Sequence, residues 1–209
     1  MNKKNWKIAL TAGVLSVVTL GFQACNSNEQ KSANGAEQKE TSNTASDQAP
    51  VVEVPDYASV DNDVKNQVAA VYQEYLQVKD HLVAGHADAA KAAAQKVVQA
   101  MGQVDAAKLS SEQKAFFDQH AGMVKEHAQA IAATGSTEEQ RQQLDMFSTS
   151  TYSLVKSFKA NGETLYLQHC PMANNNKGGY WISQTAEVKN PYFGDKMLKC
   201  GETQETLKN

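Results

Sequence analysis

The sequence predicts a mainly α protein: an antiparallel four-helix bundle with a short irregular or β C-terminal tail packed on it. Three observations carry that expectation. Apolar residues recur at helical spacing in four stretches between about residues 60 and 161. Each stretch is bounded by residues that start or stop helices. After Gly162 the helical period gives way to short alternating pieces and turn-rich segments.

The first helix is expected from about Val60 to Val83, with Val64, Val68, Val71, Tyr72, Tyr75, Leu76, Val78 and Leu82 on its apolar face and Gly85 as its stop. An alanine-rich second helix follows from about Ala87 to Val104, with Val97, Val98 and Met101 on one side. Ser110 or Ser111 caps a third, which runs to about Ala133 and ends near Gly135. Ser136 or Thr137 caps a fourth, where Glu138 and Glu139 complement the positive end of the helix dipole. It continues through Leu144, Phe147, Tyr152, Leu154, Val155 and Phe158 to Asn161-Gly162. Helices of about five turns joined by short loops favour an antiparallel bundle. Beyond them, Thr164 to Gln168 alternates like a short strand, Asn174 to Gly179 is a turn-rich loop, and Tyr180 to Ile182 is a second apolar piece. A turn at Asn190 to Gly194 and the segment Met197 to Cys200 close the domain. Such a tail has no core of its own and must pack on the helices.

The N-terminus sets the compartment. Lys3, Lys4 and Lys7 precede an apolar run from about Ile8 to Phe22, which is shorter than the ~20 residues a membrane-spanning helix needs. A basic region followed by a short apolar one has the form of a secretory signal over residues 1–24, ending at Ala24-Cys25. A small residue before a cysteine at that point predicts a lipoprotein, lipidated on Cys25. It would be exported and held on the cell-envelope membrane, facing the periplasm or the surface. From Asn26 to Pro50 there is no Val, Ile, Leu, Met, Phe, Tyr or Trp, so residues 25–55 are expected to be a disordered tether. Residues 56–209 form the domain, with a C-terminal motif segment over 163–209.

Composition narrows the function classes. The formal net charge is −3, and a cleaved signal takes three lysines with it and no acid. That argues against nucleic acid as a partner. With Cys25 lipidated, the other two of the three cysteines, Cys170 and Cys200, are left as a pair. In an oxidising compartment such a pair is either a disulfide or part of a metal site.

The chemistry concentrates in His169-Cys170-Pro171-Met172 and Met197-Leu198-Lys199-Cys200-Gly201. Thiolates and thioethers are soft donors that select Cu(I) and similar ions. With imidazoles, the two cysteines could instead hold zinc, although the spacings match no standard zinc pattern and there is no Cys-x-x-Cys. Under the alternative, Cys170 and Cys200 form a disulfide and Met172 and Met197 fill gaps in the core. On the third helix Phe116, His120, Met123, His127 and Ile131 step by three or four residues along one face, expected to look inward. The metal candidates are therefore Cys170, Met172, Met197 and Cys200, with His169, His120, Met123 and His127 as completing ligands. His81 and His86 are expected to be exposed, and Arg141, the only arginine, to pair with a carboxylate or with carbonyls of the tail. No Ser/His/Asp arrangement, phosphate-binding glycine loop or His-Glu-x-x-His is present, so no catalytic residue is assigned and an enzyme is not expected.

Cys170-Pro-Met-Ala173, Trp181-Ile-Ser183, Asn190-Pro-Tyr-Phe-Gly194 and Met197-Leu-x-Cys-Gly201 occur in that order. As a set they resemble an uncharacterised periplasmic helical domain family. It is found alone in lipoproteins of Bacteroidetes-type bacteria and fused to periplasmic adaptor subunits of copper/silver efflux systems. Gln140-Arg141, Phe147-Ser148 and the Tyr72/Tyr75 helix also fit its pattern, and the likeness covers about Asp56 to Leu207. The resemblance implies heavy-metal handling, with copper as Cu(I) the ion and an efflux adaptor or other envelope protein the partner. Two functions follow. One is sequestration or transfer of Cu(I) or Ag(I) outside the cytoplasm. The other is a structural or interaction module, pinned by a Cys170–Cys200 disulfide, that docks on an envelope protein without metal.

Overall fold

A computed structural model describes residues 52–57 and 59–208. The expected signal, Cys25 and the tether up to residue 51 lie outside the described residues. Five helices follow one another: α1 (Asn62–Val83), α2 (Ala87–Gly102), α3 (Ser111–Ala133), α4 (Thr137–Gln142) and α5 (Leu144–Phe158). Three strands follow: β1 (Leu165–Cys170), β2 (Gly179–Ser183) and β3 (Glu202–Leu207). The chain is mainly helical, with a small antiparallel sheet at the C-terminus.

Local chemistry sets the helix limits. Asp61 Oδ1 accepts from Asp63 N (2.9 Å) at the start of α1, and Gly85, at φ +72°, lets the chain leave after its end. At the start of α3, Ser110 and Gln113 each bond the other's backbone N–H, satisfying two amides that have no partner within the helix. Ser136 caps α4 through Glu139 N (3.3 Å).

The fourth expected helix is two. A tight bond from Gln143 N to Gln140 O (3.1 Å) closes a 3₁₀-type turn between α4 and α5. Gln140 is fully buried and its Nε2 donates to Ala87 O, Ile131 O and Thr134 O. It thus covers free carbonyls at the end of α3 and ties that end to the start of α2.

α1 packs on α2, α2 on α3, α3 on α5 and α5 on α1. α5 is the pivot. Its buried small polar residues satisfy themselves along the helix, as in Ser148 Oγ to Leu144 O (2.6 Å) and Thr151 Oγ1 to Phe147 O (2.7 Å). This lets neighbours approach closely without orphaned hydroxyls. The inward face of α3 is Phe117, Ala121, Val124, Ala128 and Ile131. The expected stripe through Phe116, His120, Met123 and His127 sits one position round the helix, half-buried at the margin of the core. This corrects the expectation that it looks inward.

The sheet order is β2-β1-β3. β1 and β2 lie where the alternating pieces place them, whereas β3 was not anticipated. Its sequence, Glu-Thr-Gln-Glu-Thr-Leu, is largely solvent-facing, and its pairing with β1 carries an irregularity opposite Leu167/Gln168. Gln168 and Trp181 face each other across β1 and β2, both fully buried, with Trp181 Nε1 donating to Gln168 Oε1 (2.8 Å). Gln168 Nε2 donates in turn to Thr185 O and Ala186 O, so the pair's polar atoms are satisfied.

The sheet meets the helices through β2, which packs on α5 and touches α1. β2 is an edge strand, and its outward backbone groups are taken up by side chains. Ile182 N donates to Tyr75 Oη (3.0 Å), Tyr180 N to Asp145 Oδ1 (2.8 Å), and Tyr180 O accepts from Tyr192 Oη (2.7 Å). Tyr75 Oη also pairs with Ser148 Oγ (2.7 Å), joining α1, α5 and β2 at one buried atom. Val52 to Tyr57 run along the end of α5. Tyr57 N donates to Ser157 O (3.0 Å), Ser157 Oγ to Pro55 O and Lys156 Nζ to Val52 O (2.7 Å). Lys156 also pairs with Glu205 of β3.

Tyr75 and its neighbour Tyr72 make a controlled test of this junction. Both are buried, but Tyr72 Oη has no hydrogen-bond partner among the described residues. Tyr75→Phe is expected to lower unfolding free energy by about 1–3 kcal/mol, because it strands the Ile182 amide. Tyr72→Phe is expected to be neutral or slightly stabilising. Urea unfolding of both variants checks the contrast, and equal losses would contradict it.

Candidate functional site

The structure brings Cys170 and Cys200 together. Cys170 ends β1 and is fully buried; Cys200 lies half-buried just before β3. Their sulfurs are 2.8 Å apart. Contact with Cys170, through a hydrogen bond and charge repulsion, and some burial push the Cys200 thiol up from its ordinary value near 9 to about 11. In reduced form Cys200 is therefore a protonated thiol at neutral pH and a weak nucleophile.

The loop that delivers Cys200 is built around Asn190, which is fully buried. Its Oδ1 accepts from Tyr192 N (2.8 Å) and Phe193 N (3.2 Å), and its Nδ2 donates to Cys200 O (2.7 Å). One side chain thus shapes the Asn190–Gly194 turn and holds the backbone at Cys200. Gly201 follows at φ +130°, and a Cβ there would lie 2.7 Å from both His169 O and the Trp181 ring. Only glycine passes at that point.

Arg141 fastens the same turn to the helices. Its Nε donates to Pro191 O (2.8 Å), a tail carbonyl as expected, and its Nη2 to Leu82 O (2.8 Å) near the end of α1. Gly194, at φ +55°, lies so close that a Cβ would meet Arg141 Nη2 and Val83 O, each at 2.8 Å. Burial works against the guanidinium's charge and pulls its pKa down, and Glu138 partly offsets this.

The other candidate ligands are dispersed. Met172 is 47% exposed and, with Met197, lines a cleft of about 580 Å³ that neither cysteine lines. The cleft lies between α4, the left-handed turn at Asn174–Asn176 and the segment Phe193–Met197. His169 packs against Tyr180 with the rings tilted, their centroids 4.4 Å apart. His120 packs against Phe116 at 4.4 Å, and His127 Nδ1 bonds Gln143 Oε1 (2.9 Å) at the junction of α4 and α5. The sheet's main helical neighbour is α5 rather than α3, the helix that carries these two histidines. His81 is half-buried and His86 exposed, their rings 6.4 Å apart. Among the described residues no group of three or more His, Cys, Asp or Glu side chains is placed to hold a metal ion.

Sequence reasoning missed Asn190 and Tyr75 as organising residues. The signal was available for both: a polar residue opening a turn, and a tyrosine on a buried helical face, whose hydroxyl requires a partner.

Burial lowers the His120 pKa, and its Nδ1 is buried with no hydrogen-bond partner among the described residues. The unfolded chain therefore binds this proton more tightly than the folded one. Its contribution to stability is intact above the ordinary histidine value of about 6.5 and is lost as pH falls below it. Thermal unfolding from pH 7.5 to 5.0 should show a steeper decline for the natural chain than for His120→Phe; parallel curves would contradict this.

A family model described as "Protein of unknown function (DUF3347)" matches residues 71–163, from within α1 to just past α5. The match fits an uncharacterised domain family and is narrower than the Asp56–Leu207 span of the resemblance, whose tail motifs lie beyond it. No curated protein and no solved structure matches the chain.

Proposed function

We propose that this chain is an exported lipoprotein, anchored through Cys25, whose domain is a non-catalytic interaction module with its C-terminal segment held by a Cys170–Cys200 disulfide. The helices are read as an antiparallel four-helix bundle in which α4 and α5 together form the fourth member. The observation that carries the reading is the 2.8 Å approach of the two sulfurs, at the point where the tail rejoins the sheet. Two thiolates on a tetrahedral zinc, with Zn–S near 2.3 Å, would stand roughly 3.8 Å apart, so the observed approach suits oxidation better than that geometry. The tail motifs support the same reading. Asn190, Gly194, Gly201 and Trp181 are each committed to packing or to backbone hydrogen bonds. The module would present this rigid surface to an efflux adaptor or another envelope protein.

Mass spectrometry of the chain purified without reductant is expected to show quantitative loss of two hydrogens, mapped to Cys170–Cys200. A bridge across this loop contributes about 3.6 kcal/mol in the chain-entropy model, so Cys200→Ser should lower stability on that order. Free thiols in the exported protein would refute the reading.

A second reading, capture of Cu(I) or Ag(I), is favoured by one observation: Met172 and Met197 share a cleft wall, and soft thioethers suit such ions. Cys170 and Cys200 would join as ligands only when reduced, with His169, His120, Met123 or His127 completing the set after rearrangement. Cu(I) titration against a competing chelator is expected to show stoichiometric binding by the reduced chain and its loss in Met172→Leu/Met197→Leu. Binding no tighter than micromolar, or unaffected by the double variant, would remove this reading.

A further inference from the structure

The same cleft carries a chemistry that neither reading uses. A guanidinium has five N–H donors. Arg141 commits one on Nε and one on Nη2 to main-chain carbonyls, and makes no ion pair among the described residues. The donors that remain belong to the Nη1/Nη2 end of the fork, the edge that takes a carboxylate with two parallel hydrogen bonds. Arg141 is half-buried, and the cleft is a surface on which it is open.

Around it the charges do not cancel. Lys196, exposed and without an ion-pair partner among the described residues, stands on the same wall. Glu138 is the one acid on the lining, so the cleft carries an excess of one positive charge in a chain of net charge −3. The rest of the wall is mixed: Gln142 and Asn174 to Asn176 are polar, while the thioethers of Met172 and Met197 and the ring of Phe193 supply an apolar part. Met172 is one of the two large hydrophobic side chains that stand exposed among the described residues. The cation is held from two sides, by Pro191 O of the turn and Leu82 O of α1, and glycine at 194 lets the turn come that close. A fixed fork beside adaptable methionines resembles the division of labour in small-molecule sites, where a few polar groups orient a ligand and apolar ones cover it.

We propose that this cleft binds an organic carboxylate with an apolar body, the carboxylate held end-on by Arg141 with Lys196 beside it and the body lying on Met172, Met197 and Phe193. An inorganic oxyanion would use the cation but gain nothing from the thioethers and the ring. A neutral apolar molecule would leave the guanidinium edge to water. The site is independent of the redox state of Cys170 and Cys200, which do not line it.

The test uses the full chain labelled at the methionine methyls and at nitrogen, titrated separately with N-acetylphenylalanine, its carboxamide and inorganic phosphate. N-acetylphenylalanine should shift the Met172 and Met197 methyls and the Arg141 Nε–H in a saturable manner. The carboxamide, which cannot form the charge-assisted pair, should bind about tenfold more weakly or less. Lys196→Glu, on an exposed side chain, should weaken the carboxylate several-fold and leave the carboxamide unchanged. Met172→Gln should weaken both ligands alike. Equal response to carboxylate and carboxamide would overturn the proposal. So would phosphate matching the carboxylate, no saturable shift with N-acetylphenylalanine, or a Lys196→Glu chain that binds it as well as the parent.

Discussion

The architecture rests on the need to satisfy the outer edge of β2. A sheet of three short strands has two edges, and an edge strand presents unpaired N–H and C=O groups. Here one edge is turned toward the helices, where water cannot reach all of those groups. Tyr75 from α1, Asp145 from α5 and Tyr192 from the terminal turn supply the missing partners. None of the three comes from the sheet, so the sheet cannot be complete until helices and tail are in place. This makes one cooperative unit of parts that sequence separates by more than a hundred residues.

The tail is a chain of dependencies that starts from the same edge. Tyr192 reaches Tyr180 only because Asn190 shapes its turn, and Asn190 in turn holds Cys200 at the end of β1. Arg141 fixes the turn to the last carbonyls of α1, and Gly194 permits that closeness. The polar atoms that shape the turn, fix it to the helices and join it to the sheet are thus shared across three elements. Asn190, Gly194 and Gly201 thus have a structural use: a short tail without its own core attaches itself to helices and sheet through them.

Much of the helical part was legible because its signals are local. Caps at Ser110 and Ser136, the stop at Gly85 and the apolar period all act within a few residues. The break at Gln143 escaped because both of its sides are helical, and only the reach of Gln140 to α2 and α3 distinguishes them. The face of α3 was misplaced by one residue: Phe116 and Phe117 are equally apolar, and one step rotates the inward direction by about 100°. β3 was invisible because an exposed edge strand of Glu, Thr and Gln has neither alternation nor bulk. The pairing of Cys170 with Cys200 was foreseen, as a disulfide or a shared metal site, whereas the cleft lined by Met172 and Met197 is walled in part by the turn at Asn174–Asn176, whose left-handed backbone no spacing rule reveals.

The way the first described residues lie along α5 has a mechanical consequence. Tension applied to the chain at Val52 does not enter the domain at the first turn of α1. It enters at the end of α5, through Val52, Pro55 and Tyr57 gripping Lys156 and Ser157, with Lys159 and Asp56 adding an ion pair. Since Lys156 also holds Glu205, the load divides between the central helix and the last strand. The domain is pulled by its middle and its end at once, and α1 with the junction at Tyr75 is sheltered from the first bonds to break.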